Sequence, residues 1–181
     1  MPPSPSAAAR PPFHGWRVAF AALVAQFVAN TAWLASASMF VTPIEREFET
    51  TRSTISLGMS LCILLMGLVS PFVGRWIDAG PQRAIMIGGV VLLAAGLWLS
   101  SLAESIPMLG IAFCGVATFG ILLFGPLPSV ALVSRWFVRR RGLAVGVAVS
   151  GATFASAAGP ALAAWLIDGW GWRVALQAYA V

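Results

Sequence analysis

Three consecutive arginines, Arg139 to Arg141, run directly into a stretch from Gly142 to Ile167 that holds 26 residues without a charge. An arginine at the centre of a membrane-spanning helix costs about 2.5–3.5 kcal/mol, so three together would cost roughly 8–10 kcal/mol in hydrocarbon. They belong at a membrane surface. The uncharged run behind them reaches about 39 Å as a helix, more than the roughly 30 Å of hydrocarbon it has to cross. Other parts of the chain repeat the pattern: charged residues are 9% and apolar ones 59%, against about 25% and 45–50% in water-soluble domains. The sequence therefore predicts an all-α, polytopic membrane helix bundle.

Met1 to Phe13 carries five prolines and no helical period. Residues 1–14 are expected to form a disordered Pro/Ala-rich leader, with the lone His14 at the interface. Arg10 and Arg17 precede an apolar run, and Ala35-Ser36-Ala37 has the small residues of a cleavage site. That run, Val18 to Val41, has 24 residues, longer than the about 7–15 of a signal sequence. It reads as a retained first helix, about 16–41, ending before Pro43. Glu45, Arg46, Glu47, Glu49 and Arg52 then make a short charged loop.

A second helix is predicted over 53–73, with Ser60, Gly67 and Gly74 seven residues apart, so that one small face admits a neighbouring backbone. A polar interruption from Gly74 to Arg83 separates it from a third helix over 84–103, and Glu104 and Ser105 form a tight turn. The fourth helix, 106–133, has Pro107 in its first turn and Gly110, Gly115, Gly120, Gly125, Pro126 and Pro128 as breakers, so a bend is expected. A fifth helix over 142–167 closes with a turn from Asp168 to Arg173, Trp170 and Trp172 lying at interface depth. Residues 173–181 are then a partial sixth helix, since Val174 to Val181 reach only about 12 Å. The transmembrane bundle so defined covers 15–181.

All eleven cations are arginines. They sit between apolar runs, so the net charge of +5 reads as membrane topology and not as affinity for nucleic acid. With a cytoplasmic N-terminus, that side carries Arg10, Arg17, Arg75, Arg83, Arg135, Arg139, Arg140 and Arg141 against Asp78 alone. The other side carries Arg46, Arg52 and Arg173 against Glu45, Glu47, Glu49, Glu104 and Asp168. The positive-inside rule selects this orientation in the cell's inner (plasma) membrane. Cys62 and Cys114 lie inside apolar segments without metal-ligand spacing and are expected to be small core or lipid-facing residues, neither ligands nor a disulfide. There is no nucleophile elbow, no His pair and no phosphate-cradling loop followed by lysine, so no enzyme, cofactor or metal is expected.

Polar side chains inside the spans are the candidates for solute contact. Gln26, Asn30 and Trp33, at i, i+4 and i+7, share one face of the first helix, and Thr118 is the strongest polar residue of the fourth. Such groups are costly in lipid, so this face is expected to point into the bundle or a wet cavity. Interhelical hydrogen bonding is an alternative use for them.

Two motifs resemble those of a known family. Gly74-Arg-Trp-Ile-Asp78-Ala-Gly80-Pro-Gln-Arg83 resembles the loop signature of the major facilitator superfamily, Gly-x-x-x-Asp-(Arg/Lys)-x-Gly-x-(Arg/Lys). Ala79 stands where the first basic residue would be, and Gly80-Pro81 arrives one residue early. Trp136-Phe137-x-x-Arg140-Arg141-Gly142-Leu143-Ala144-x-Gly146-x-Ala148-x-Ser150-Gly151 resembles the fifth-helix signature of monocarboxylate porters and the oxalate:formate antiporter group. His14-Gly15-Trp16-Arg17 resembles their entry motif. Gly159-Pro160, with Ala155, Ala163 and Ala164, is more distantly similar to an antiporter motif.

The resemblance implies the N-terminal six-helix half of a twelve-helix secondary transporter, its sixth helix truncated. It implies alternating-access transport of a small solute, such as an organic anion of the monocarboxylate type. Efflux of hydrophobic drugs or metabolites, and a non-transporting truncated membrane protein, are the alternatives. Implied partners are the lipid bilayer, the solute with a coupling ion, and a C-terminal half. Gly74, Asp78, Gly80 and Arg83 would gate access, though solvated loop charge also accounts for Asp78 and Arg83. Gly142, Gly146, Gly151, Gly159 and Pro160 would pack helices, and Arg139, Arg140 and Arg141 would form a cytoplasmic basic loop. The lysine that proton-linked monocarboxylate porters carry late in the first helix falls on Leu34, and no span holds a cation at its core.

Overall fold

The computed structural model describes residues 15–137 and 139–180; the leader at 1–14, including His14, and the side chains of residues 34–38, including Leu34, lie outside the described residues. Among the described residues there are helices and turns and no strand. In chain order the elements are α1 (Gly15–Met39), α2 (Val41–Glu47), α3 (Arg52–Ala79), α4 (Gln82–Ser101), α5 (Ile106–Gly110), a π-helical segment (Ile111–Ala117), α6 (Thr118–Phe124), α7 (Pro126–Trp136) and α8 (Arg141–Ala180). Four stretches, Arg52–Ala79, Gln82–Ser101, Ile106–Trp136 and Arg141–Ala180, are long and apolar enough to cross a membrane. The 25 residues of α1 add a fifth long helix of about 37 Å. One end of the bundle gathers Arg17, the Gly80-Pro81 break and Arg135 to Arg141. The other gathers α2, the turn at 102–105 and Gly171.

Several boundaries differ from those expected. The loop after the first helix contains the helix α2, in which Pro43 is the third residue, a position where its absent N–H costs no intrahelical bond. The second span continues past Val73 to Ala79. Pro71 does not end it, because Ser70 Oγ donates to the Gly67 carbonyl at 3.2 Å, the acceptor that an N–H at position 71 would have used. The helix stops at Gly80, held extended at φ −104° and ψ 174° by the steric demand of Pro81. α4 begins two residues earlier than expected and ends two earlier. The fourth span is interrupted twice, by the π-helical segment and by Gly125 at φ −79° and ψ −129°, which agrees with the expected bend. The turn expected from Asp168 to Arg173 shrinks to Gly171. Its φ of +83°, open to glycine and strained for other residues, separates helical stretches over 141–170 and 172–180.

Packing is dominated by small residues, which let helix backbones approach. α1 buries Ala19, Ala22, Ala25, Ala29 and Ala32, and α8 buries Ala144, Ala148, Gly151, Ala155, Gly159 and Ala163. Both series step by three or four residues, so each lies on one helix face, and the two faces form the seam between α1 and α8. A second close approach joins α4 to the fourth span. A Cβ on Gly96 would collide with the backbone of Ala117, and one on Gly120 with the backbone of Leu93. Larger apolar side chains, among them Leu93, Leu97, Ile121 and Trp172, fill the core between these pairs.

α3 is held differently. A methyl group on Gly67 or Gly74 would meet nothing within 4 Å, and Ser60 and most of the outer face of the helix are exposed. The expected close neighbour on that face is therefore absent from the described bundle. α3 is joined instead by chemistry that sequence spacing did not show: Cys62 and Cys114 form a disulfide, Cα–Cα 4.8 Å. This corrects the expectation that the two are unlinked apolar residues. Their separation of 52 positions hid the pairing, and the helical hairpin of α3 and α4 followed by α5 and the π-helical segment brings the two sulfurs together.

Candidate functional site

The polar face predicted on α1 is built from its helical spacing. Gln26 is buried and Asn30 half-buried. Asn30 Nδ2 donates to the Gln26 carbonyl at 2.8 Å and to Gln26 Oε1 at 3.1 Å. The carbonyl can only accept, which fixes the orientation of the Asn30 amide. One turn on, Trp33 stacks on Phe113, ring centroids 5.2 Å apart and planes 13° from parallel.

Phe113 belongs to the π-helical segment, where widened backbone bonding releases carbonyls from their usual partners. Thr118 Oγ1 takes one of them, donating to the Phe113 carbonyl at 3.0 Å. Thr118 is almost fully buried, so its hydroxyl proton is spent on the backbone. Phe113 and Cys114 also border an apolar cavity of about 90 Å³ between α3 and the fourth span, with Phe40, Met59, Cys62 and Leu176 among its walls. Sequence reasoning missed Phe113; the glycines flanking it at 110 and 115 were the available signal of an irregular helix.

At the arginine-rich end, Asp78 meets Arg135. Arg135 NH2 donates to Asp78 Oδ1 at 3.4 Å, to the Asp78 carbonyl at 3.2 Å and to the Ile77 carbonyl at 3.3 Å. Gln82 Nε2 donates to the Pro128 carbonyl at 2.7 Å. The last turn of α3 and first turn of α4 are thus tied to α7. Arg83 stands exposed, and Gly80 N–H caps α3 by donating to the Trp76 carbonyl at 2.8 Å. Asp78, Leu127, Ser134, Arg135 and Arg141 line an open groove of about 530 Å³. Arg139, Arg140 and Arg141 are exposed.

The expected packing glycines divide. Gly151 lies against Leu23 and Gln26, and Gly159 against Thr31, its Cβ position 3.5 Å from Thr31 Cα. Pro160 sits inside α8 beside Gly159. Gly142 and Gly146 have nothing within 4 Å. At about 100° per residue, they lie some 200° around the helix from the buried Ala144 and Ala148.

The opposite end carries a cluster whose members, Glu47 and the pair Trp172 and Arg173, lie in separate stretches of the sequence. Arg173 Nε and NH2 donate to Glu47 Oε1 at 3.1 and 2.7 Å, and its NH1 and NH2 donate to the Ser101 and Ala103 carbonyls at 2.7 and 2.8 Å. Trp172 Nε1 donates to Glu47 Oε2, and the Arg173 guanidinium lies 4.7 Å over the Trp172 ring. The hydrogen bond from Arg173, opposed by desolvation and reinforced by Trp172, holds the Glu47 carboxyl below its ordinary range.

Residues 15–181 match the family model described as Major Facilitator Superfamily. The riboflavin transporter RibJ of Trypanosoma brucei brucei is 36% identical over 126 residues, covering 69% of this chain and 23% of the relative. Monocarboxylate transporter 13 of Bos taurus is 34% identical over 164 residues, 90% of this chain and 38% of the relative. Human monocarboxylate transporter 2 is 28% identical over 181 residues, 96% and 37% respectively. The chain thus spans from about a quarter to two fifths of the length of these relatives.

Proposed function

This chain belongs to the major facilitator superfamily, and from that premise we propose that it supplies the N-terminal half of a secondary transporter for a small organic solute. The solute crosses by alternating access, bound near the midplane between two halves that rock against each other. The open glycine faces of α3 and of Gly142 and Gly146 on α8 receive the second half. The arginine-rich end faces the cytoplasm of a cell whose plasma membrane holds the protein. A coupling ion drives the cycle.

The observation that carries this reading is the tie from Asp78 to Arg135, which fastens the loop between α3 and α4 to the end of α7. Both side chains remain largely exposed, 77% and 47%, so the pair is weak enough to remake in each cycle. Relatives named for riboflavin and for monocarboxylates bracket the solute as a small organic molecule. Efflux of hydrophobic compounds is the second reading, favoured by spans without a charge at their cores.

The test is solute exchange by proteoliposomes holding the complete protein, with and without Asp78→Asn. Expression at the same level with exchange slowed about tenfold, or with access shifted to one side, supports the gating role. Exchange no faster than protein-free vesicles, across a panel of carboxylates and hydrophobic compounds, would sink transport. Unchanged kinetics in Asp78→Asn would return Asp78 to loop charge.

A further inference from the structure

The Trp33–Phe113 pair differs from the other described ring pairs in both place and geometry. Trp16–Phe137, Phe48–Trp172 and Trp165–Trp170 lie toward helix ends and meet edge to face, at 70°, 60° and 64°. Trp33 and Phe113 lie within the spans and meet near parallel, at 13°. A centroid distance of 5.2 Å means an offset stack, in which part of each face overhangs the other. Both rings are half-buried, and Phe113 borders the cavity between α3 and the fourth span.

Asn30 stands three residues before Trp33, on the same face of α1. Both hydrogens of its amide are taken by Gln26. What Asn30 offers is therefore its Oδ1, an acceptor and nothing else. No charged residue lies in 18–44, 53–74, 84–103 or 106–134, so an ionised solute would meet no counter-charge from these stretches, and leaving water unpaired is costly. Aromatic faces and an acceptor select a flat ring that carries its own N–H.

We infer that Asn30, Trp33 and Phe113 form a subsite for a planar, uncharged heteroaromatic ring bearing an N–H donor. The ring stacks on the overhanging aromatic surface and donates to Asn30 Oδ1, while Gln26 holds the Asn30 amide in place. This rests on the transporter reading and sharpens it, because it separates ring-shaped solutes from small aliphatic carboxylates.

Equilibrium dialysis of the complete detergent-purified protein with hypoxanthine or lumichrome measures binding, and proteoliposome exchange with the same compounds and with pyruvate measures transport. Saturable binding of a ring compound is expected. Trp33→Leu and Asn30→Leu should each weaken it about tenfold, while Trp33→Phe stays within about threefold, since stacking on an aromatic face tolerates a change of ring. If Trp33→Leu does not insert, Asn30→Leu carries the test. Pyruvate exchange with no binding of either ring compound would overturn the subsite and leave transport standing, and so would ring binding indifferent to Asn30→Leu and Trp33→Leu. Ring binding lost in those variants, without exchange of any solute, would uphold the subsite and overturn transport instead.

Discussion

α3 and α4 are consecutive, both rich in glycine, and use it in opposite ways. On α4, Gly96 sits against the backbone of Ala117 and Gly89 has Phe124 N 2.7 Å from its Cβ position; these two glycines, seven residues apart, are sites of contact inside this bundle, while Gly88 meets nothing. On α3, Gly67 and Gly74, also seven residues apart, meet nothing. Composition and spacing are alike, so the pattern alone reports that a helix is ready for a close neighbour. It does not report whether that neighbour is in the same chain.

The most direct way to break the contrast is Gly96→Val, which has no room against a backbone and should cost about 3 kcal/mol or more, seen as lost expression or a lower unfolding temperature in detergent. Arg173→Ala comes next, because it removes the carbonyl bonds that anchor the end of α4 at Ser101 and Ala103 as well as the bond to Glu47. A loss of about 1–3 kcal/mol is expected. The same anchor should weaken in acid. Glu47 is held below its ordinary range by Arg173, so its contribution is present above the unfolded-state value and is lost as pH falls through the lower folded one. A thermal-unfolding series from neutral pH downward should show this decline, flattened in Glu47→Gln. Smallest of all is Gly67→Val, within about 0.5 kcal/mol for this chain on its own. Equal destabilisation by Gly67→Val and Gly96→Val would erase the distinction between the two helices.

Much of the architecture was legible because long uncharged runs between arginines have few folded solutions. Asp78 was legible as the acidic residue of the loop motif, although its partner was not: Arg135 lies 57 residues away, beyond any local spacing rule. The same holds for Glu47 with Arg173 and Cys62 with Cys114, pairs that only the folding of several helices onto one another creates. The α1–α8 seam was partly visible. The glycine series at 142 and 146 drew the eye, while the buried face ran through Ala144 and Ala148, because alanine permits almost the same approach and signals it less loudly. Gly74 to Arg83 read as a polar interruption, yet most of it prolongs α3, since charged residues at a helix end satisfy both the membrane surface and the backbone.

The disulfide makes a closed loop of chain out of the segment from Cys62 to Cys114, with the whole of α4 inside it. A helix whose outer face is empty is otherwise held only on its inner side, by Val73 and Ile77 against Leu122 and by the bonds from Arg135. Linked in this way, α3 cannot translate along its axis without dragging the π-helical segment and, through Gly120 and Gly96, α4 as well. The three elements form a single mechanical linkage, and force applied to the bare face of α3 is delivered to Phe113, beside Cys114 and against Trp33.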